Sequence, residues 1–122
     1  MAFGIQKAGE TLKKRRERRE AMRRELAEVA QKDADRIVKM LIEQFRPRKI
    51  YQWGSLLYHS RFREYSDIDI AVEGLKGPLD GLRAIDEASS LTQFPVDIVE
   101  LERIHPAHAR SIRDEGRLIY EQ

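Results

Sequence analysis

The sequence predicts an α/β domain carrying a helical N-terminal extension, and three observations lead there. From Lys13 to about Phe45 there is no glycine or proline, and most residues favour helix. Beyond Pro47, short β-favouring runs alternate with helical stretches, and Gly or Pro punctuates the junctions. No internal repeat or low-complexity linker interrupts this order, and 122 residues leave room for one compact domain.

Within the first helix, Met22, Leu26, Val29, Ala30, Ala34, Ile37, Leu41 and Phe45 recur at three- and four-residue spacing, the pattern of one buried stripe. Lys13–Glu20 lacks such a stripe, so it is expected to project into solvent or to need a partner, whether another protein or a second copy of the chain. Pro47 ends the helical run by disfavouring helix at the residue before it. Lys49–Trp53 reads as a strand, broken by Gly54-Ser55, and Leu56–Arg63 as a short helix. Ser66–Glu73 is the second strand, closed by Gly74 and Gly77-Pro78. Pro78 to about Leu91 reads as helix with Leu79, Leu82, Ile85 and Ala88 inward, and Pro95–Leu101 as a third strand. Residues 107–115 form a last helix around Ala109 and Ile112, stopped by Gly116, and Arg117–Tyr120 adds a final strand. The expected division is residues 1–46 as the extension and 47–122 as the domain proper.

The chain is 41% apolar, enough for a modest core, and it has no cysteine. Disulfides, zinc–thiolate sites and thiol catalysis are thereby excluded. No apolar run approaches the roughly 20 residues of a membrane span, and the N-terminus shows no signal-peptide pattern, so no membrane association and a cytoplasmic location are expected. The net charge of +2 hides an uneven distribution: residues 1–25 carry nine Lys or Arg against four Glu. A basic front end on an acidic body fits either a solvated helix or one that meets something anionic.

The chemistry concentrates in Ser66-Asp67-Ile68-Asp69-Ile70. Residues two apart on a strand point the same way, so Asp67 and Asp69 project together while Ile68, Ile70 and Val72 face a core. Two carboxylates roughly 7 Å apart repel each other unless a cation lies between them. Magnesium takes carboxylate oxygens and completes its octahedron with water and phosphate. Asp97 is one acid in the apolar run Pro95-Val96-Asp97-Ile98-Val99, and a neighbouring strand that set it beside Asp67 and Asp69 would give all three a reason. Gly54-Ser55 stands between strand and helix, where backbone N–H groups, a hydroxyl and a helix dipole suit phosphates.

These segments resemble the signature of minimal nucleotidyltransferases in the polymerase-beta superfamily: Gly54-Ser55, the run from Ser66 to Leu75, Phe94–Val99 and the tail from Ala109 to Tyr120. The resemblance implies a small mixed β-sheet flanked by helices, with Gly54 and Ser55 holding the phosphates of ATP. It implies Asp67, Asp69 and Asp97 as catalytic ligands of two Mg2+ ions, Asp97 also helping to activate an acceptor hydroxyl. Many such proteins are antitoxins that transfer AMP to a tyrosine of a helical HEPN ribonuclease toxin. The Arg-Gly that usually follows the Gly-Ser pair is absent here, so Arg61 or Arg63 is expected to supply the cation. Two other functions fit the same residues: an antitoxin that neutralises by binding alone, and a transferase acting on RNA ends, with the basic helix as its electrostatic footprint.

Other candidates read as structural. His105 and His108 lack a third soft ligand and are expected at the surface. Arg103 and His108 match an Arg-x4-His spacing seen in HEPN ribonucleases, a coincidence given Pro106 between them. Tyr51, Trp53 and Phe94 are expected in the core.

Overall fold

The computed structural model describes residues 2–122, with side chains from Gly4 onward; Met1, counted in the expected extension, lies outside the described residues. The elements run α1 (Ala2–Phe45), β1 (Lys49–Trp53), two 3-10 turns (Ser55–Leu57 and His59–Arg61), β2 (Ile68–Glu73), α2 (Asp80–Ser89), β3 (Val96–Glu100), α3 (Pro106–Glu115) and β4 (Arg117–Glu121). The four strands form one mixed sheet in the order β3-β2-β1-β4. β1 pairs antiparallel with both β2 and β4, and β2 pairs parallel with β3 through the α2 crossover.

Alternation along each strand gives the sheet two different faces. Ile50, Ile68, Ile70, Val72 and Ile98 face α1 and α2, where Ala30, Ile37, Leu41, Ala84 and Ala88 complete the main core. Tyr51, Ala71 and Val99 face α3, meeting Ala109 and Ile112 in a smaller core. The second half of α1 therefore packs on the sheet, while its first half does not: every side chain from Gly4 to Glu20 is exposed.

Three expectations need correction. Met22 and Val29 were expected on the buried stripe but are 67% and 54% exposed, because Ala27, Ala30 and Ala34 set the contact face and those two residues lie to its side. On α2, Leu79 and Leu82 point outward, and the contact is made by Ala84 and Ala88 with Ile85 partly buried. Small residues there let the helix approach the sheet closely. The expected helix over Leu56–Arg63 is instead two three-residue 3-10 turns, closed by Tyr58 N–H donating to Ser55 O at 3.0 Å and Phe62 N–H to His59 O at 3.3 Å.

Side-chain bonds lock the layers together. Thr92 Oγ1 donates to the buried Asp33 at 2.7 Å, tying the approach to β3 onto α1, and Arg36 pairs with the other oxygen of Asp33. Phe62 and Phe94 pack with ring centroids 5.4 Å apart beneath the turns.

Candidate nucleotide and metal site

The parallel register of β2 and β3 sets Asp69 directly beside Asp97, and the antiparallel register of β1 and β2 sets Trp53 on the other side of Asp69. The three form a row across adjacent strands on the face that carries α3. Asp67 lies one residue before β2 rather than within it. Its position is fixed from both sides: Ser66 accepts from Arg63 N–H at 2.9 Å and returns a backbone bond of 2.9 Å, while Ile68 N–H donates to Pro95 O at 2.8 Å. Asp67 and Asp97 are exposed and Asp69 is half-buried.

Burial, then the charge of Asp67, then that of Asp97, pushes the Asp69 carboxyl from an ordinary 3.8 up to about 7. The three acids thus share one electrostatic site. Among the described residues, no three acidic or histidine side chains converge into a preformed ion cage. The donor set nonetheless fits a hard divalent cation, since it offers only carboxylate oxygens and a mutual repulsion that a cation relieves.

Gly54 closes the site from β1. Its backbone, at φ 80° and ψ −162°, occupies a region essentially restricted to glycine. A Cβ there would overlap the Asp69 carboxylate. Glycine is therefore required twice, by conformation and by space.

Beside Gly54 opens a cleft of about 630 Å³. Trp53, Ser55, Tyr58 and Arg61 form one side, and α3 contributes His108, Ser111 and Glu115. Arg61 stacks 4.7 Å above the Tyr58 ring. Of the two expected cations, only Arg61 lines this cleft. Arg63 turns elsewhere, its guanidinium donating to the carbonyls of Ser60 at 2.8 Å and Phe62 at 3.0 Å. The short turn after Ser55 carries little of the expected helix dipole, so the amide groups and hydroxyl of Ser55 remain as the polar features.

The α3 wall was not legible in the sequence. His108 is exposed, as expected, yet its ring meets Trp53 edge-on at 5.4 Å. Trp53, expected in the core, is only partly buried, and its indole N–H is enclosed without a hydrogen-bond partner among the described residues. His105 caps α3 by accepting from Ala107 N–H at 3.1 Å, and Arg103 pairs with Glu100 at 3.3 Å, so neither joins a site with His108.

A mixed sheet presenting adjacent acids beside a glycine-serine turn is the arrangement of a nucleotidyltransferase. The chain belongs to the polymerase beta nucleotidyltransferase family, whose model matches residues 35–122. Its fold is similar to that of a chain in a crystal structure of the toxin–antitoxin MntA-HepT, with a TM-score of 0.59 at 21% identity, covering 75% of this chain and 73% of that one. A crystal structure of the toxin–antitoxin with AMP-PNP gives a TM-score of 0.59 at 22% identity, covering 71% of this chain and 73% of that one. No functionally curated protein matches the chain.

Proposed function

We propose that this protein is the antitoxin of a toxin–antitoxin pair and acts by magnesium-dependent transfer of AMP from ATP to a hydroxyl, the acceptor being a tyrosine of a HEPN-type toxin. The observation that carries the reading is the alignment of Asp69 with Asp97 against Gly54. The family supports the reaction class, and the similar structures, one a toxin–antitoxin pair and one with AMP-PNP, support the partner and the nucleotide.

In this reading Asp67, Asp69 and Asp97 would hold Mg2+, which would supply Lewis-acid chemistry and neutralise phosphate charge. Gly54 lets the phosphates approach the backbone, Ser55 donates its hydroxyl to a phosphate oxygen, and Arg61 supplies a positive charge at the cleft wall. The acceptor oxygen forms a bond to the α-phosphorus as the bond from that phosphorus to the bridging oxygen breaks, and pyrophosphate leaves. Asp97, exposed at the end of the row, takes the proton of the acceptor hydroxyl.

The test is to incubate the full chain with α-labelled ATP, magnesium and a small helical HEPN-type protein. Label on a tyrosine of that protein, lost in Asp69→Asn, is the expected result. A stable unlabelled complex would establish neutralisation by binding alone, and label on RNA ends would establish a different acceptor.

A further inference from the structure

The first half of α1 carries an apolar seam that the fold does not use. Ile5, Leu12, Met22 and Val29 are all exposed large apolar side chains. Positions 5, 12, 19 and 26 are spaced by seven, as are 8, 15, 22 and 29, and together they alternate as the a and d positions of a heptad. Six of these eight are apolar: Ile5, Ala8, Leu12, Met22, Leu26 and Val29. The seam lies about 100° around the helix from the face that packs on the sheet, one residue before each of its buried positions, so Val29 is exposed while the adjacent Ala30 is buried.

This stretch is poorly supported by the chain itself. Gly4 and Gly9 face open space, and each costs helix about 1 kcal/mol relative to alanine. Among the described residues, no tertiary packing offsets that cost before Ala21. A second helix along the seam would.

The charge pattern selects the occupant. The two a/d positions that are not apolar are Arg15 and Arg19, flanked by Arg16 and Arg18, all exposed. A second copy aligned in parallel sets Arg15 against Arg15 and Arg19 against Arg19. The antiparallel alignment stacks Ile5 on Val29 and Leu12 on Met22, but it brings Arg15 against Arg19 of the other copy. Both crowd like charges at the centre of the seam. Nucleic acid would meet the arginines and leave the apolar row unused. We infer that residues 5–29 of α1 form a docking seam for an acidic amphipathic helix of a different protein. The C-terminal end of the seam runs into a groove of about 290 Å³, where Arg19, Met22, Arg23 and Leu26 face Arg63 and Glu64. That groove gives the partner helix an end-stop on the domain. The seam is separate from the nucleotide site and does not depend on what the acceptor is.

The experiment uses the full chain and a labelled synthetic helix about four heptads long, with Leu at a and d except for Glu opposite the two arginines, and Glu at e and g. Its Lys-for-Glu counterpart and a duplex RNA are the comparison probes. Fluorescence anisotropy is expected to show binding of the acidic helix, weakened about tenfold or more by Leu12→Ser with Met22→Ser, and likewise by Arg15→Glu with Arg19→Glu. The charge-reversed protein should instead take the Lys helix. All four positions are exposed, so circular dichroism should show the helix retained. Acidic-helix binding unchanged by the serine pair would overturn the seam, leaving charge alone. Duplex RNA bound more tightly than the acidic helix would overturn the choice of partner, as would a dimer of the chain that the serine pair dissociates in sedimentation.

Discussion

Gln31 and Gln52 hold each other through both amides: Gln31 Nε2 donates to Gln52 Oε1 at 3.0 Å, and Gln52 Nε2 donates to Gln31 Oε1 at 2.8 Å. The pair fastens α1 to an inner strand of the sheet, on the face opposite the acids. Gln52 is only 2% exposed, so its amide relies on this partner. Gln31→Ala should therefore destabilise the protein by about 1–3 kcal/mol in urea unfolding. Replacing both by Leu should cost less than the single change, since no buried amide is then left unpaired.

The Asp69 carboxyl gives the apo protein a pH signature of definite sign. The unfolded chain releases this proton near 3.8, while the folded protein keeps it to about 7. Between those values the folded state binds the extra proton, so its contribution to stability falls as pH rises through the window and is level above it. Urea midpoints measured across the window should show this decline, and Asp69→Asn should remove it. An identical decline in the variant would assign it to other groups.

Gly54→Ala should destabilise the fold by about 1–3 kcal/mol, because a non-glycine residue is strained at this φ and ψ. Part of the loss belongs to the overlap with Asp69, so adding Asp69→Ala should recover some stability but never all of it. Under the proposed reading, the single variant also loses affinity for ATP, read by isothermal titration.

Asp97→Ala should leave stability nearly unchanged, since the side chain is exposed on an outer strand. Its expected effect is on transfer, which should fall by a much larger factor than nucleotide affinity. Equal factors for the two would reduce Asp97 to a binding role.

What the sequence made legible was governed by local periodicity. Lys49–Trp53 is a strand over the expected residues, and the alternation of Ile68, Ile70 and Val72 correctly sends Asp69 to the opposite face. Asp97 could be placed beside Asp69 only by supposing that their strands were neighbours, which the parallel register supplies. The misses have physical causes. Apolar side chains at helical spacing do not say which of two faces is used: Ile37, Leu41 and Phe45 of the expected α1 stripe are buried, but further up the helix Ala27, Ala30 and Ala34 are buried where Met22 and Val29 are exposed, and on α2 Ala84 and Ala88 take the place of Leu79 and Leu82. The cleft wall from α3 is a non-local encounter: nothing in the local pattern of His108, Ser111 or Glu115 pairs them with Ser55 and Arg61. The turns after Ser55 were read as helix because their residues tolerate helix, whereas each segment is only three residues long.

The position of β3 at the margin of the sheet has one more consequence. Among the described residues, no strand lies beyond Asp97, so the last acid of the row stands at an open flank, with no groove of β-structure narrowing the approach. Under the proposed reading, an acceptor arriving there is not sieved by size. A side chain still attached to a large folded molecule would then reach the row as readily as a free metabolite, and discrimination among acceptors would pass from the shape of the cleft to whatever surface lodges the acceptor alongside it.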